Sequence, residues 1–345
     1  MIRFECDYLE GAHPQIMKAL ADTNFEQTPG YGVDSHCERA RELIRKVCNA
    51  PDAYVQFLVG GTQSNTVIIK SMLRPHEGII SAASGHINTH ETGAIEATGH
   101  KVLGIDSPDG KISAEQIKNY YLRHMSDGSR EHVVKPGAVY ISQPTEYGTM
   151  YNKAELTAIN EVCRECSLYL FVDGARMGYG LASEGNDVFL PDLAKLCDVF
   201  YIGGTKVGAL FGEAIVITNE KISEDFRYLI KQHGGMLAKG RLLGIQFETL
   251  FENGLYFEIS EHAMRLALKF KYAVKEMGVP VLFESPSNQQ FPIFDREVYE
   301  KLSEKYSFSF WEELADGRVA VRVCTSWATN EQNLDALIED IKKLV

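Results

Sequence analysis

Two apolar runs stop abruptly at charged residues set beside glycine. Phe171-Val172-Asp173-Gly174-Ala175-Arg176 presents an aspartate, and Tyr201-Ile202-Gly203-Gly204-Thr205-Lys206-Val207-Gly208 presents a lysine. Asp173 closes the apolar run Leu168 to Val172, so its carboxylate falls at the end of a buried strand. Lys206 has sequence that wants burial on both flanks, and a buried lysine needs a partner or a covalent use. Desolvation lowers its pKa toward the neutral amine that attacks a carbonyl. In open α/β sheets the chemistry sits in the crevice outside the strand carboxyl ends, and a carboxylate there can keep a pyridine nitrogen protonated. Asp173 and Lys206 together therefore suggest pyridoxal 5'-phosphate (PLP). Singly each has a plainer explanation, a helix-capping aspartate and a solvated surface lysine. A nucleotide-binding P-loop does not fit, because Val207 stands where that motif needs Ser or Thr.

Further residues gather around this pair. Val59-Gly60-Gly61-Thr62-Gln63-Ser64-Asn65 lies between a strand pattern and a helix pattern, where free N–H groups and the Thr62 hydroxyl could hold a phosphate. Read more plainly, it is a helix cap. His86 and His90, four apart, could share a helix face as zinc ligands do, but no third ligand stands at a convincing distance. A flat His86 ring lying over a pyridine ring is the alternative. Arg322 lies in the alternating strand Arg318 to Cys324, and its planar guanidinium could clamp an α-carboxylate through two parallel hydrogen bonds. Cys163-x-x-Cys166 continues a helical apolar face through Leu156 and Ile159 with no second pair to complete a metal site, so both cysteines are expected in the core.

The elements that must position these groups form an α/β pattern. Apolar runs at Tyr54 to Val59, Gly78 to Ser81, Lys101 to Ile105, Ala138 to Ile141, Leu168 to Val172, Val199 to Ile202 and Ala214 to Thr218 alternate with helical patterns at Thr62 to Leu73, Ser113 to His124 and Lys153 to Cys166. That rhythm predicts a mostly parallel seven-stranded sheet wrapped by helices. An arm with one helix, Pro14 to Ala21, is expected over residues 1–35, the large domain over 36–238, and a smaller α+β domain over 239–345. In the last, helical spacing dominates Arg241 to Met277, short strands are expected at Pro280 to Phe283, Gln290 to Ile293 and Val319 to Val323, and Asn330 to Leu344 is an amphipathic helix.

With 345 residues, 45% of them hydrophobic, the chain can bury a large core. A formal net charge of -12 and a pI near 5.4 argue against a nucleic-acid or anionic-membrane partner and favour a small-molecule substrate. Seven scattered cysteines, and a start lacking the basic-then-apolar order of a signal peptide, lead to the expectation of a cytoplasmic protein with reduced thiols.

In order along the chain, the Gly60-Gly61-Thr62 turn, His86-x4-Glu91-x-Gly93, Phe171 to Arg176, Thr205-Lys206 and Arg322 resemble the threonine aldolase and β-eliminating lyase family of fold-type I PLP enzymes. The resemblance implies that Lys206 carries PLP covalently, Asp173 pairs with its ring nitrogen, His86 stacks on the ring, and Gly61 and Thr62 hold the phosphate. Arg176, which serves cofactor and substrate, and Arg322 would grip the substrate carboxylate. Cys6, Tyr31 and Glu91 would border the substrate, with Tyr31 reaching in from a neighbouring subunit of a homodimer or homotetramer. The implied activity is cleavage of threonine, allo-threonine or related β-hydroxy amino acids to glycine and an aldehyde. β-Elimination from serine, cysteine or an aromatic amino acid is the alternative, and a non-catalytic binding protein a more remote one. The chain leaves the family pattern twice. Glu146, in Ile141 to Gly148, stands in place of a histidine near the substrate hydroxyl, and after Gly234-Gly235-Met236 a phosphate-binding arginine is replaced by Leu237, with Lys239 two positions on as a point charge.

Overall fold

The computed structural model describes all 345 residues. In chain order its strands are β1 (Ile2–Arg3), β2 (Tyr54–Leu58), β3 (Glu77–Ala82), β4 (Val102–Ile105), β5 (Lys135–Ser142), β6 (Tyr169–Asp173), β7 (Val199–Gly203) and β8 (Glu213–Ile217). They continue with β9 (Gln289–Gln290), β10 (Ile293–Phe294), β11 (Tyr306–Ser307), β12 (Ser309–Glu313) and β13 (Val319–Cys324). All seven expected central strands form, in one sheet of order β2-β8-β7-β6-β5-β3-β4. Only β8 runs against its neighbours, β2 and β7; the other pairings are parallel. Helices cover both faces, which is why these strands read as unbroken apolar runs rather than alternations.

The crossover helices Gly61–Met72, Ala114–Ser126 and Lys153–Glu165 lie where the spacing puts them, the last two opened by capping boxes from Ser113 with Gln116 and from Asn152 with Glu155. Cys163 and Cys166 are buried in the larger core. Helix Ser35–Val47, capped by the Asp34 carboxylate on Cys37 N–H at 2.9 Å, was not anticipated; it packs on Arg241–Glu252. The following helix, Leu255–Glu276, serves two cores. Its first half, with Tyr256, Ile259 and Ala263, joins the core of the large sheet, and Leu266, Phe270 and Val274 join a separate core with Phe294, Val321 and Leu337. No helix is long and apolar enough to cross a membrane.

The second sheet departs from expectation. The predicted strand Pro280 to Phe283 is reduced to a single bridge, Val281 to Pro292, and the predicted Gln290 to Ile293 is divided into β9 and β10. Pro292 lacks the N–H that would carry either ladder onward. Both fragments pair with β13, whose other neighbour is β12. β11 and the start of β12 lie on an apolar–polar alternation, Tyr306-Ser307-Phe308-Ser309-Phe310.

Candidate active site

Five segments of interest leave the same edge of the central sheet, after the carboxyl ends of β2, β3, β5, β6 and β7. The ends of β6 and β7 are pressed together, with Gly203 N–H donating to the Gly174 carbonyl at 2.9 Å. A Cβ on Gly174 would lie 2.0 Å from the Tyr201 carbonyl oxygen, and one on Gly203 2.3 Å from that of Ala175. Only glycine allows this approach, and the approach brings Asp173 and Lys206 to one cavity. The turn beyond β7 closes through Gly204 and Thr205 N–H groups on the Gly212 carbonyl, both at 3.0 Å. Lys206 Nζ lies 5.8 Å from the centre of the Tyr8 ring. Burial, reinforced by the Arg176 charge, lowers its amine below the usual lysine range, against a counter-pull from Asp7, Asp173 and Glu213.

Asp173 is 4% exposed and has a full set of donors. Its Oδ1 accepts from the Tyr201 hydroxyl at 2.5 Å and Ala175 N–H at 3.0 Å, and Oδ2 from the Tyr140 hydroxyl at 2.6 Å and Asn65 Nδ2 at 3.2 Å. Tyr140, Tyr201 and Asn65 were missed in the sequence. The one available signal was tyrosine inside a strand buried on both faces, since a buried hydroxyl needs a partner. Behind this group, Asn65 Nδ2 also donates to Glu91 Oε1 at 2.6 Å, and the same oxygen bonds His86 Nδ1 at 2.7 Å. Burial alone would depress the His86 imidazole, but the Glu91 hydrogen bond and the Asp173 charge carry it above its ordinary value. Glu91, expected beside the substrate, is bonded to His86 and lines neither cavity of the site.

A cavity of about 290 Å³ is lined by Gly60, Gly61, Thr62, His86, Asp173 and Lys206, among others. Helix Gly61–Met72 opens onto it with no side-chain cap, which leaves its first N–H groups free for an anion. An uncapped helix start, a carboxylate and a depressed lysine around one cavity match the phosphate, ring nitrogen and aldehyde of PLP, so the residues fit that group. The adjoining wider cavity, about 580 Å³, shares His86, Glu146, Arg176 and Lys206 and adds Tyr147, Trp311 and Arg322.

Glu146 and the two arginines differ in how free they are. Glu146 Oε1 accepts from His86 N–H at 3.0 Å and from the Ser142 hydroxyl at 2.8 Å, and burial raises its carboxyl above the ordinary range. Arg176 is already engaged: Nε and Nη2 donate to the two Asp7 oxygens at 2.7 and 3.0 Å. Burial would raise Asp7, but Arg176, Lys206 and an Asn288 hydrogen bond outweigh it and hold the carboxyl at about 2. The expected clamp role of Arg176 thus meets a resident carboxylate, supplied by the arm. Arg322 bonds Gln289 Oε1 and the Glu5 carbonyl, each at 3.3 Å, and its buried Nε has no partner.

Besides Glu91, three predicted residues stand outside both cavities. Cys6 is half-buried and lines neither. Tyr31 is 47% exposed, and its N–H bonds the Ala238 carbonyl at 3.2 Å, which places it beside the exposed Lys239. Neither Tyr31 nor Lys239 lines either of these two cavities of its own chain.

The chain is 31% identical over 346 residues to a low specificity L-threonine aldolase of a Pseudomonas species, covering 99% of this chain and 98% of that protein. A threonine aldolase structure from Leishmania major superposes with a TM-score of 0.97 at 45% identity, over 100% of this chain and 99% of that one. A Thermus thermophilus aspartate aminotransferase superposes with a TM-score of 0.71 at 16% identity, over 100% of this chain and 92% of that one, and so shares its fold, the fold-type I architecture. The family model described as beta-eliminating lyase matches residues 4–295, and the chain therefore belongs to that family of PLP-dependent enzymes.

Proposed function

We propose that the protein is a low-specificity threonine or allo-threonine aldolase, cleaving β-hydroxy amino acids to glycine and an aldehyde. The observation that carries this is the pairing of Asp173 and Lys206 across one cavity with Glu146 on its rim, in a chain aligned end to end with threonine aldolases. Lys206 would hold PLP, Asp173 its ring nitrogen, Gly61 and Thr62 its phosphate, and His86 its ring face. When bound, PLP supplies a sink for the electron pair left on the substrate α-carbon. Arg322 offers the substrate carboxylate a guanidinium with an unpartnered Nε, whereas Arg176 has already committed Nε and one Nη2 hydrogen to its fork on Asp7. Glu146 Oε1 is occupied by two donors, which leaves Oε2 to take the proton of the β-hydroxyl. Burial raises its carboxyl above the ordinary glutamate range, which makes the carboxylate a stronger proton acceptor.

The division into arm (1–35), cofactor domain (36–238) and small domain (239–345) belongs to the same proposal, as does a cytoplasmic homo-oligomer. Exposed Tyr31 and Lys239, adjacent yet outside their own cavity, favour a site completed by a neighbouring copy. Purified protein supplied with PLP and threonine is expected to release glycine and acetaldehyde. Glycine no higher than that of a Lys206→Ala control would end the aldolase reading. β-Elimination keeps a place because Glu146 stands where the family carries histidine; keto acid formed from serine or cysteine in place of glycine from threonine would favour it.

A further inference from the structure

Two buried phenols around Asp173 have no part in the chemistry above. Asp173 ends β6, and the strands on either side of it, β5 and β7, each send it one tyrosine. Tyr140 of β5 donates to Oδ2 at 2.6 Å and Tyr201 of β7 to Oδ1 at 2.5 Å, one hydroxyl on each oxygen. Phe171, two residues before Asp173 and on the same face of the strand, packs against both rings, its centre 5.4 Å from that of Tyr140 and 6.2 Å from that of Tyr201. This aromatic layer fixes the rings and aims both hydroxyls at one carboxylate. Carboxylate oxygens only accept, so the single hydrogen of each phenol is committed to Asp173. Burial, and after it the Asp173 charge, raises both phenols well above their ordinary value, so they stay donors. The other two donors, Ala175 N–H and Asn65 Nδ2, are neutral as well. A buried anion ringed by neutral groups is held by the hydrogen bonds it accepts.

We infer that Tyr140 and Tyr201 are positioning residues: by holding the negative charge on Asp173 they decide on which side of its hydrogen bond to the cofactor's ring nitrogen the shared proton lies. The inference rests on the reading that Asp173 takes that nitrogen. With Asp173 as the carboxylate, the proton is on nitrogen and the ring is positive. With Asp173 as the acid, the N–H bond has broken, an O–H bond has formed, and both partners are neutral. Each hydroxyl stabilises the carboxylate far more than the acid, because hydrogen bonds to an ionised acceptor are the stronger ones. Losing either one therefore moves the proton toward Asp173, changing the balance of the two forms on the order of tenfold. The positive ring is the stronger sink for an electron pair, so two phenols act on the reaction through one carboxylate. Tyr201 also lines the 290 Å³ cavity. Tyr140 lines neither cavity, so its influence on a cofactor there passes through Asp173.

The test reads the nitrogen itself and needs no turnover. The protein is reconstituted with PLP carrying 15N in its ring, and the 15N chemical shift is measured at neutral pH in wild type, Tyr140→Phe, Tyr201→Phe and the double variant. Asp173→Asn serves as the unprotonated reference. Phenylalanine keeps each ring in the layer with Phe171 and removes only the hydroxyl. Wild type is expected at the protonated position, with the signal displaced toward that of Asp173→Asn in the single variants and further in the double variant. A double variant superimposable on wild type, with Asp173→Asn displaced, overturns the inference and leaves Asp173 on the ring nitrogen. Should Asp173→Asn itself give the wild-type signal, the ring-nitrogen reading falls and takes the inference with it. If the double variant does not fold, Tyr140→Phe decides, since that phenol lies outside the cavity, and a signal unmoved from wild type overturns the inference. A displaced signal in a protein that releases no glycine from threonine would sink the aldolase reading and leave the two phenols their role.

Discussion

On the proposed function, Glu146 is the side chain that would decide the substrate chemistry: its Oε1 is fixed by Ser142 and His86 N–H while the acid itself is buried and raised. If it accepts the β-hydroxyl proton, Glu146→Gln keeps the fold and the cofactor's visible absorbance but lowers kcat/KM for threonine by on the order of a hundredfold or more. Glu146→His, which restores the residue that the family resemblance implies there, should recover part of that loss. A base works only when deprotonated, so wild-type kcat/KM should fall on the acid side through an apparent pKa above the ordinary glutamate value, and that limb should vanish in Glu146→Gln. Equal turnover of the Gln variant and wild type would remove the assignment. At this scale the sequence is legible where a charged residue interrupts an apolar run, as at Asp173 and Lys206. It is silent where the partner comes from elsewhere in the chain. Nothing near Arg176 announces Asp7, 169 positions away, and nothing near Asp173 announces Tyr140, Asn65 or the stack of Glu91 behind His86.

Elements obey the same division. The central strands are legible because both faces are covered, which forces continuous apolar runs, and the crossover helices because one face is wet. The small sheet is not, since its strands are two to six residues long and Pro292 cuts two of them apart. Helix Ser35–Val47 shows its cap at Asp34 but hides its purpose, which is a close crossing with Arg241–Glu252. The crossing is set by Gly244, where a Cβ would lie 2.5 Å from Cys37 N and 2.6 Å from its Sγ. Backbone on the far side cannot yield as a side chain would. Gly244→Ala should therefore force the helices apart at a cost of about 1–3 kcal/mol, seen as a lower urea midpoint with an unchanged slope. An unchanged midpoint would mean that the two helices slide freely at this contact.

Across the whole molecule, the arm is the strap that makes one site from three parts. β1 pairs with β11, the Phe4 carbonyl accepts from Cys324 N–H at 2.8 Å, and Asp7 then reaches both Arg176 after β6 and Asn288 just before β9, the latter at 2.9 Å. An arm read from sequence as weakly patterned is thus fixed by a buried charge pair, the kind of nonlocal contact that periodicity does not encode. The pair has a signature in pH. Asp7 titrates at about 2 in the folded chain, below its ordinary 3.8, so its stabilisation is fully present above pH 4 and is lost as pH falls through the folded value. Just under two pKa units on a fully buried group correspond to about 2.5 kcal/mol. Removing the carboxylate in Asp7→Asn also strands a buried guanidinium, so the variant should be weaker at neutral pH by about 3–5 kcal/mol. The pH dependence separates the two effects. The gap in unfolding free energy between wild type and Asp7→Asn, from urea titrations, should narrow by about 1 kcal/mol between pH 5 and pH 3. A gap constant over that interval would show that Asp7 holds the arm by packing and not by charge.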